Sequence, residues 1–160
     1  MALKRLMKDL KELQSGTYTH FSATPRVTQE VTTEGTVDEA TDWFKWDAVI
    51  FGPSDTPYEG GIFKLQIDIP TQYPYRAPSC MFLTKVYHPN IGASGLICLD
   101  ILKTQWSPAL GITKTLLSIL SLLSDPNPSD PYNPEAGKLY MRDKTAFDIV
   151  AREWTDQYAK

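Results

Sequence analysis

Between residues 85 and 109 the chain loses all regular spacing of its apolar residues without losing the residues themselves. That stretch divides a strand-patterned half from a helix-patterned half. A long irregular segment inside a compact domain needs a rigid frame on both sides and is usually where function sits. Before it, Phe63, Leu65, Ile67 and Ile69 alternate with Lys64, Gln66 and Asp68, the period of two that marks a strand with one buried face and one wet face. Residues 20–27 and 43–51 read as two earlier strands, and residues 80–84 as a last one. Pro70, Pro74 and Pro78 forbid a helix and predict an extended crossing segment. After the divide, Ile112, Leu116, Ile119, Leu120 and Leu123 return to helical spacing and predict a central buried helix. The proline-rich stretch 125–134 must be loop, and residues 135–140 and 144–158 predict two closing helices.

The N-terminus completes the pattern. Leu3, Leu6, Met7, Leu10 and Leu13 form one stripe of an amphipathic helix, with Gly16 as its stop signal. Lys4, Arg5, Lys8 and Lys11 lie off that stripe, on a face free to meet a partner. Residues 28–42, rich in Thr, Glu and Asp with Gly35 near the centre, are long for a hairpin connection. They are predicted to form a lengthened surface loop, the stretch most open to disorder. A helix, four strands, an irregular segment and then helices predict an α+β fold with a four-stranded antiparallel meander, one domain spanning residues 1–160.

Several function classes are disfavoured. A net charge of −3 argues against a general nucleic-acid coat, which needs a strongly basic balance. The only cysteines, Cys80 and Cys98, and the only histidines, His20 and His88, show no zinc-ligand spacing. Two cysteines do not make a secreted disulfide scaffold either. The charged start has no apolar stretch after it, so no signal peptide is expected. The richest apolar run, residues 116–123, is interrupted by Ser118 and Ser121 and reads as a core helix, not a membrane span. A cytoplasmic or nuclear location is the expectation.

Within the irregular segment stand His88-Pro89-Asn90, then Gly95-Leu96-Ile97-Cys98-Leu99-Asp100, then Trp106-Ser107-Pro108. Together these resemble the active-site signature of the ubiquitin-conjugating enzymes. Pro53 with Tyr58-Glu59-Gly60-Gly61, Tyr73-Pro74 with Pro78, and Asp125-Pro126-Asn127-Pro128 are similar to further blocks of that family. The resemblance runs over nearly the whole chain and is closest to the promiscuous short members made of the catalytic domain alone. Two departures bear on partner choice: residues 28–42 are longer than in such relatives, and Tyr75 stands where they usually have phenylalanine.

Read alone, Cys98 is ambiguous, since a lone cysteine among Leu96, Ile97 and Leu99 is more often buried and inert. A free thiol of pKa about 8.5 is only a few per cent thiolate at pH 7. The resemblance places Cys98 at the catalytic position, where it would take ubiquitin from the activating enzyme as a thioester and pass it to an amine or to a ligase cysteine. A thioester is already activated, so no cofactor or metal is implied at this step. Asn90, which as a bare residue reads as a turn former, would steady the oxyanion or hold the loop around it. Losing one oxyanion donor costs about 10²–10³ in rate. His88 reads as structural and Cys80 as core.

Asp130 and Asp100 are the acids implied near an incoming lysine, with Asp130 favoured. A carboxylate alone raises a lysine pKa from its usual value of about 10.4, the wrong direction for a nucleophile. Orientation, desolvation or transient proton acceptance must therefore be the useful effect. The resemblance further implies a shared face for the activating enzyme and for RING ligases at Lys4, Arg5, Lys8, Tyr75, Ser107, Pro108 and Ala109. It also implies a non-covalent ubiquitin contact at Ser22, HECT ligases and protein substrates as other partners, and a monomer with no nucleic-acid or membrane partner. Three competing functions remain: conjugation of another ubiquitin-like modifier, a cysteine hydrolase built on Cys98 and His88, and a scaffold without catalysis.

Overall fold

The computed structural model describes residues 1–160. Helix α1 (Ala2–Ser15) precedes strands β1 (Phe21–Val31), β2 (Val37–Phe51), β3 (Ile62–Asp68) and β4 (Ser79–Phe82). Helices α2 (Gly111–Ser124), α3 (Pro134–Arg142) and α4 (Lys144–Tyr158) follow the irregular segment. The strands form one sheet in the order β1-β2-β3-β4, every neighbouring pair antiparallel. This is the predicted α+β meander. Its inward residues, Phe21, Trp46, Ile50, Phe63, Leu65, Ile67, Cys80 and Phe82, share one buried cluster with Ile112, Leu116, Ile119 and Leu123 of α2. Helix α2 is thus the central buried helix that its spacing predicts. The alternation in β3 holds residue by residue, with Phe63, Leu65 and Ile67 buried and Lys64 exposed.

Two expectations change. The first concerns residues 28–42, which are not a loop. Strands β1 and β2 continue as a paired ribbon from Arg26↔Asp42 to Val31↔Val37, closed by a tight turn in which Gly35 adopts φ +82°. Period-two alternation is missing from the sequence because both faces of the ribbon meet water. What holds it is β propensity, from Val27, Thr28, Val31, Val37 and Thr41. The ribbon departs from the sheet at a register jump between Pro25 and Arg26. Pro25 is tolerated there because β1 is an edge strand. Arg26 spans the jump with a two-pronged ion pair to Asp47, at 3.2 and 2.7 Å.

The second concerns the prolines at 70, 74 and 78. They exclude helix as expected, but the chain turns tightly instead of crossing extended. Tyr73 N–H donates to Pro70 O at 3.0 Å and Tyr75 N–H to Gln72 O at 2.8 Å, with a cis Tyr73-Pro74 bond. This compact turn meets α1 through an interaction the apolar stripe conceals. Leu6 and the carboxylate of Asp9 are buried, while Leu3 and Met7 lie largely exposed. Asp9 is matched on both oxygens, by Arg5 Nε at 3.0 Å and by the Tyr73 hydroxyl. A buried carboxylate is tolerated only when paired in this way.

Because the ribbon buries no core side chain, replacing residues 28–40 with a two-residue Asn-Gly turn between Val27 and Thr41 is expected to change folding stability by no more than about 1 kcal/mol. Urea unfolding of both proteins measures this.

Candidate active site

The irregular segment is stitched down by backbone hydrogen bonds. Residues 91–97 double back as a tight turn, with Gly92 N–H donating to Leu96 O and Gly95 N–H to Gly92 O, both at 2.9 Å. Gly95 O in turn accepts from Phe82 N–H at 2.9 Å, which ties the turn to the end of β4. Gly95 has φ +92°, and a Cβ there would sit 2.0 Å from Phe82 O, so only glycine fits. Cys98 leaves this turn with its N–H donating to Asn90 O at 2.8 Å. A single 3-10 turn, Asp100–Leu102, follows.

His88 and Asn90 hold the segment from below, and both are buried. His88 Nε2 donates to Leu122 O near the end of α2 at 2.7 Å, while Nδ1 accepts Asn90 N–H at 2.9 Å. Those two partners fix a single neutral tautomer, and burial pushes the pKa down to about 4. Asn90 then reaches across to the proline-rich loop. Its amide nitrogen donates to Asn127 O at 2.7 Å and to Asp130 O at 3.4 Å. Its oxygen accepts Asn127 N–H at 2.8 Å. Asn133 N–H adds a bond to Pro89 O at 3.0 Å and begins α3 as its N-cap, accepting Ala136 N–H.

The loop so held brings Asp130 to the thiol. Cys98 is partly exposed, with Asp130 Oδ2 at 3.9 Å from Sγ and Lys103 Nζ at 3.8 Å. Lys103 also sits 4.6 Å above the ring of Tyr132. Its pKa is held above the usual lysine value, first by the Tyr132 side chain and further by the negative charge of Cys98 as a thiolate. Sequence reading missed Lys103; its signal was a cation shortly after a candidate nucleophile.

The other predicted residues fall into distinct places. Asp100 is exposed, and its carboxylate makes no bond to Sγ. Its contribution is a carbonyl that accepts Lys103 and Gln105 N–H at 3.0 Å. Cys80 is buried, its pKa raised to about 12 by burial. With both ring nitrogens engaged elsewhere, His88 is not the base that a cysteine hydrolase needs. Asn90 likewise directs its amide N–H groups at loop carbonyls and not at Sγ.

The residues of the predicted docking face do gather. Trp106 Nε1 donates to Pro74 O at 2.8 Å, and its ring lies 6.0 Å from that of Tyr73. This sets exposed Ser107, Pro108 and Ala109 beside exposed Tyr75, and the Asp9–Tyr73 contact adds α1 with exposed Lys4 and Lys8. Arg5 differs: it is half-buried and engaged with Asp9. Ser22 is exposed on β1. A concavity of about 600 Å³ between the 91–95 turn and α4 does not include Cys98 among its lining residues.

Comparison with known proteins gives a consistent picture. A family model described as ubiquitin-conjugating enzyme matches residues 5–155. The structure is similar to a ubiquitin conjugating enzyme E2 domain of Toxoplasma gondii, at 41% identity and TM-score 0.83, with 100% of both chains covered. It is also similar to a putative ubiquitin conjugating enzyme from Plasmodium yoelii, at 42% identity and TM-score 0.84, covering 99% of this chain and 96% of that one.

The burial of neutral His88 has a measurable consequence. Below pH 6.5 the unfolded chain binds a proton that the folded chain refuses until pH falls to about 4. Stability is therefore expected to fall by about 3 kcal/mol as pH drops across that window, from this group. Urea unfolding at a series of pH values measures the slope, which should be flatter in a His88→Gln variant.

Proposed function

This chain belongs to the ubiquitin-conjugating enzyme family, and from that premise we propose that Cys98 accepts the C-terminus of ubiquitin as a thioester from an activating enzyme. It then transfers the acyl group to a substrate lysine with a RING ligase, or to the cysteine of a HECT ligase. The observation that carries this reading is the partly exposed Cys98 thiol with Asp130 and Lys103 close to its sulfur, at 3.9 and 3.8 Å.

The roles follow from the contacts. Asn90 is a positioning residue that holds the loop carrying Asp130. Asp130 orients the incoming ammonium and accepts its proton. Desolvation contributes little, because Asp130 is exposed. Asp100 shapes the turn after Cys98 through its carbonyl. Lys4, Lys8, Tyr75, Ser107, Pro108 and Ala109 form one docking face for the activating enzyme and the RING ligase, with Arg5 contributing chiefly by fixing α1. Since the two partners would share that face, loading and discharge alternate. Ser22, exposed on β1, belongs to a second, non-covalent ubiquitin contact used in chain building. The ribbon beyond Arg26 selects partners and takes no part in the chemistry. The protein works as a monomer in the cytoplasm or nucleus.

The protein mixed with ubiquitin, activating enzyme and ATP is expected to gain a ubiquitin-sized shift on a non-reducing gel, lost on reduction. Cys98→Ser should give at most a reduction-resistant ester. Loading should survive both Ser22→Arg, which instead slows chain building, and truncation of the ribbon. A folded protein that stays unshifted with active reagents would overturn the reading, and a shift with a different modifier alone would reassign it.

A further inference from the structure

Beyond Arg26 the ribbon leaves a sheet edge unguarded. Strand β1 is the outermost strand, so along residues 27–31 its side away from β2 has no backbone partner. Rows of free N–H and C=O groups invite another strand, and soluble proteins blunt such edges with lysines, prolines or bulges. Here the guards stop short. Pro25 and the register jump lie just before the stretch, and Val27-Thr28-Gln29-Glu30-Val31 contains neither lysine nor proline.

The side chains say what kind of strand fits. Cross-strand partners share a face, and successive residues along a strand alternate between faces. The pairs Val27↔Thr41, Gln29↔Glu39 and Val31↔Val37 therefore lie on one face, and Thr28↔Ala40 and Glu30↔Asp38 on the other. Val27, Val31 and Val37 are all exposed on the first face, Val31 at 75%. On the second, Glu30 stands directly across from Asp38, a like-charge pairing that weakens a ribbon until something neutralises it. Glu34 at the tip and Glu39 add negative charge, and none of the protein's ion pairs involves any of these four acids. The ribbon's one cation, Arg26, is already engaged with Asp47. A second copy of the chain would set carboxylates against carboxylates, and a nucleic acid would bring phosphates. Charge complementarity therefore selects a basic protein segment.

We propose that the β1 edge at residues 27–31 docks an extended basic segment of a partner protein, which adds to the ribbon as a third strand. Main-chain hydrogen bonds along the free edge supply the affinity, and alternate side chains supply the selection. On one face β-branched residues of the segment continue the row of Val27 and Val31. On the other face its lysines or arginines neutralise Glu30 and Asp38. This names the partner class for the selecting role given to the ribbon above, and it does not depend on the thioester.

The test uses the full chain without ubiquitin and, as probe, a fluorescein-labelled peptide Lys-Val-Lys-Thr-Lys-Val-Lys, followed by anisotropy. Saturable binding is expected. Glu30→Lys combined with Asp38→Lys, both on exposed positions, should weaken it at least about tenfold, and so should truncation of the ribbon. The isomer Lys-Lys-Val-Thr-Val-Lys-Lys keeps the charge but breaks the alternation, and it should bind at least about tenfold more weakly. No binding, equal binding by the charge-reversed or truncated protein, or equal binding of the isomer would overturn the inference. Dimerisation of the chain in sedimentation, lost on ribbon truncation, would overturn it in favour of a second copy. Ubiquitin loading is read on separate samples, so the carrier function and this docking site stand or fall independently.

Discussion

Asn90 is buried, and each of its side-chain polar groups is bonded to a loop far along the chain. With His88 pinned to α2 and supporting the Asn90 backbone, the side chain clasps the proline-rich loop to the segment that carries Cys98. The backbone of Asn90 also receives the N–H of Cys98. One residue therefore sets both the position of the thiol and that of the carboxylate beside it. Removing the amide takes away the partner of the Asn127 N–H and C=O groups, and the net loss of such a hydrogen bond costs about 0.5–1.5 kcal/mol. A loop with four prolines cannot repair that by forming regular structure. Its own backbone offers few donors, so the clasp is its main tether.

A second anchor of the same kind organises the opposite end. Asp9 joins α1 to the turn at Tyr73, and Trp106 joins that turn to the loop before α2. The docking face thus depends on a buried carboxylate and an indole N–H, just as the thiol site depends on a buried amide. In both places apolar burial builds the frame, while a few matched polar groups decide where the loops lie. The first anchor ties the irregular stretch to the proline-rich loop, and the second ties helix α1 to the turn at Tyr73.

Much of the fold is legible in the sequence because its signals are periodic. β3 and α2 each bury one face, and a buried face leaves a period of two or of 3.6. The ribbon at 26–42 shows the limit of that signal. Both its faces meet water, so pairing left no alternation, and only the β-branched residues and Gly35 marked it. The stripe on α1 misled for the opposite reason, since a buried charge, Asp9, occupies the inward face beside Leu6. Of the site, Cys98, Asn90 and Asp130 were reachable through the resemblance of their motifs, because those motifs lie in sequence order. Lys103 and the division of labour at Asn90 were not. Both follow from contacts across space, Asn90 to Asn127 and Lys103 to Sγ, which no spacing rule encodes.

The clasp assigns Asn90 and Asp130 to one unit, and residues that act as a unit are not additive. The direct measurement is a double-mutant cycle on discharge of preformed thioester to free lysine, using the intact chain, Asn90→Ala, Asp130→Ala and the pair. If Asn90 works by holding Asp130 beside Cys98, Asp130→Ala slows discharge in the intact chain and costs little more once Asn90 is gone. If the two losses instead multiply in full, Asn90 acts on the reaction independently of the loop, and the clasp is not what builds this site.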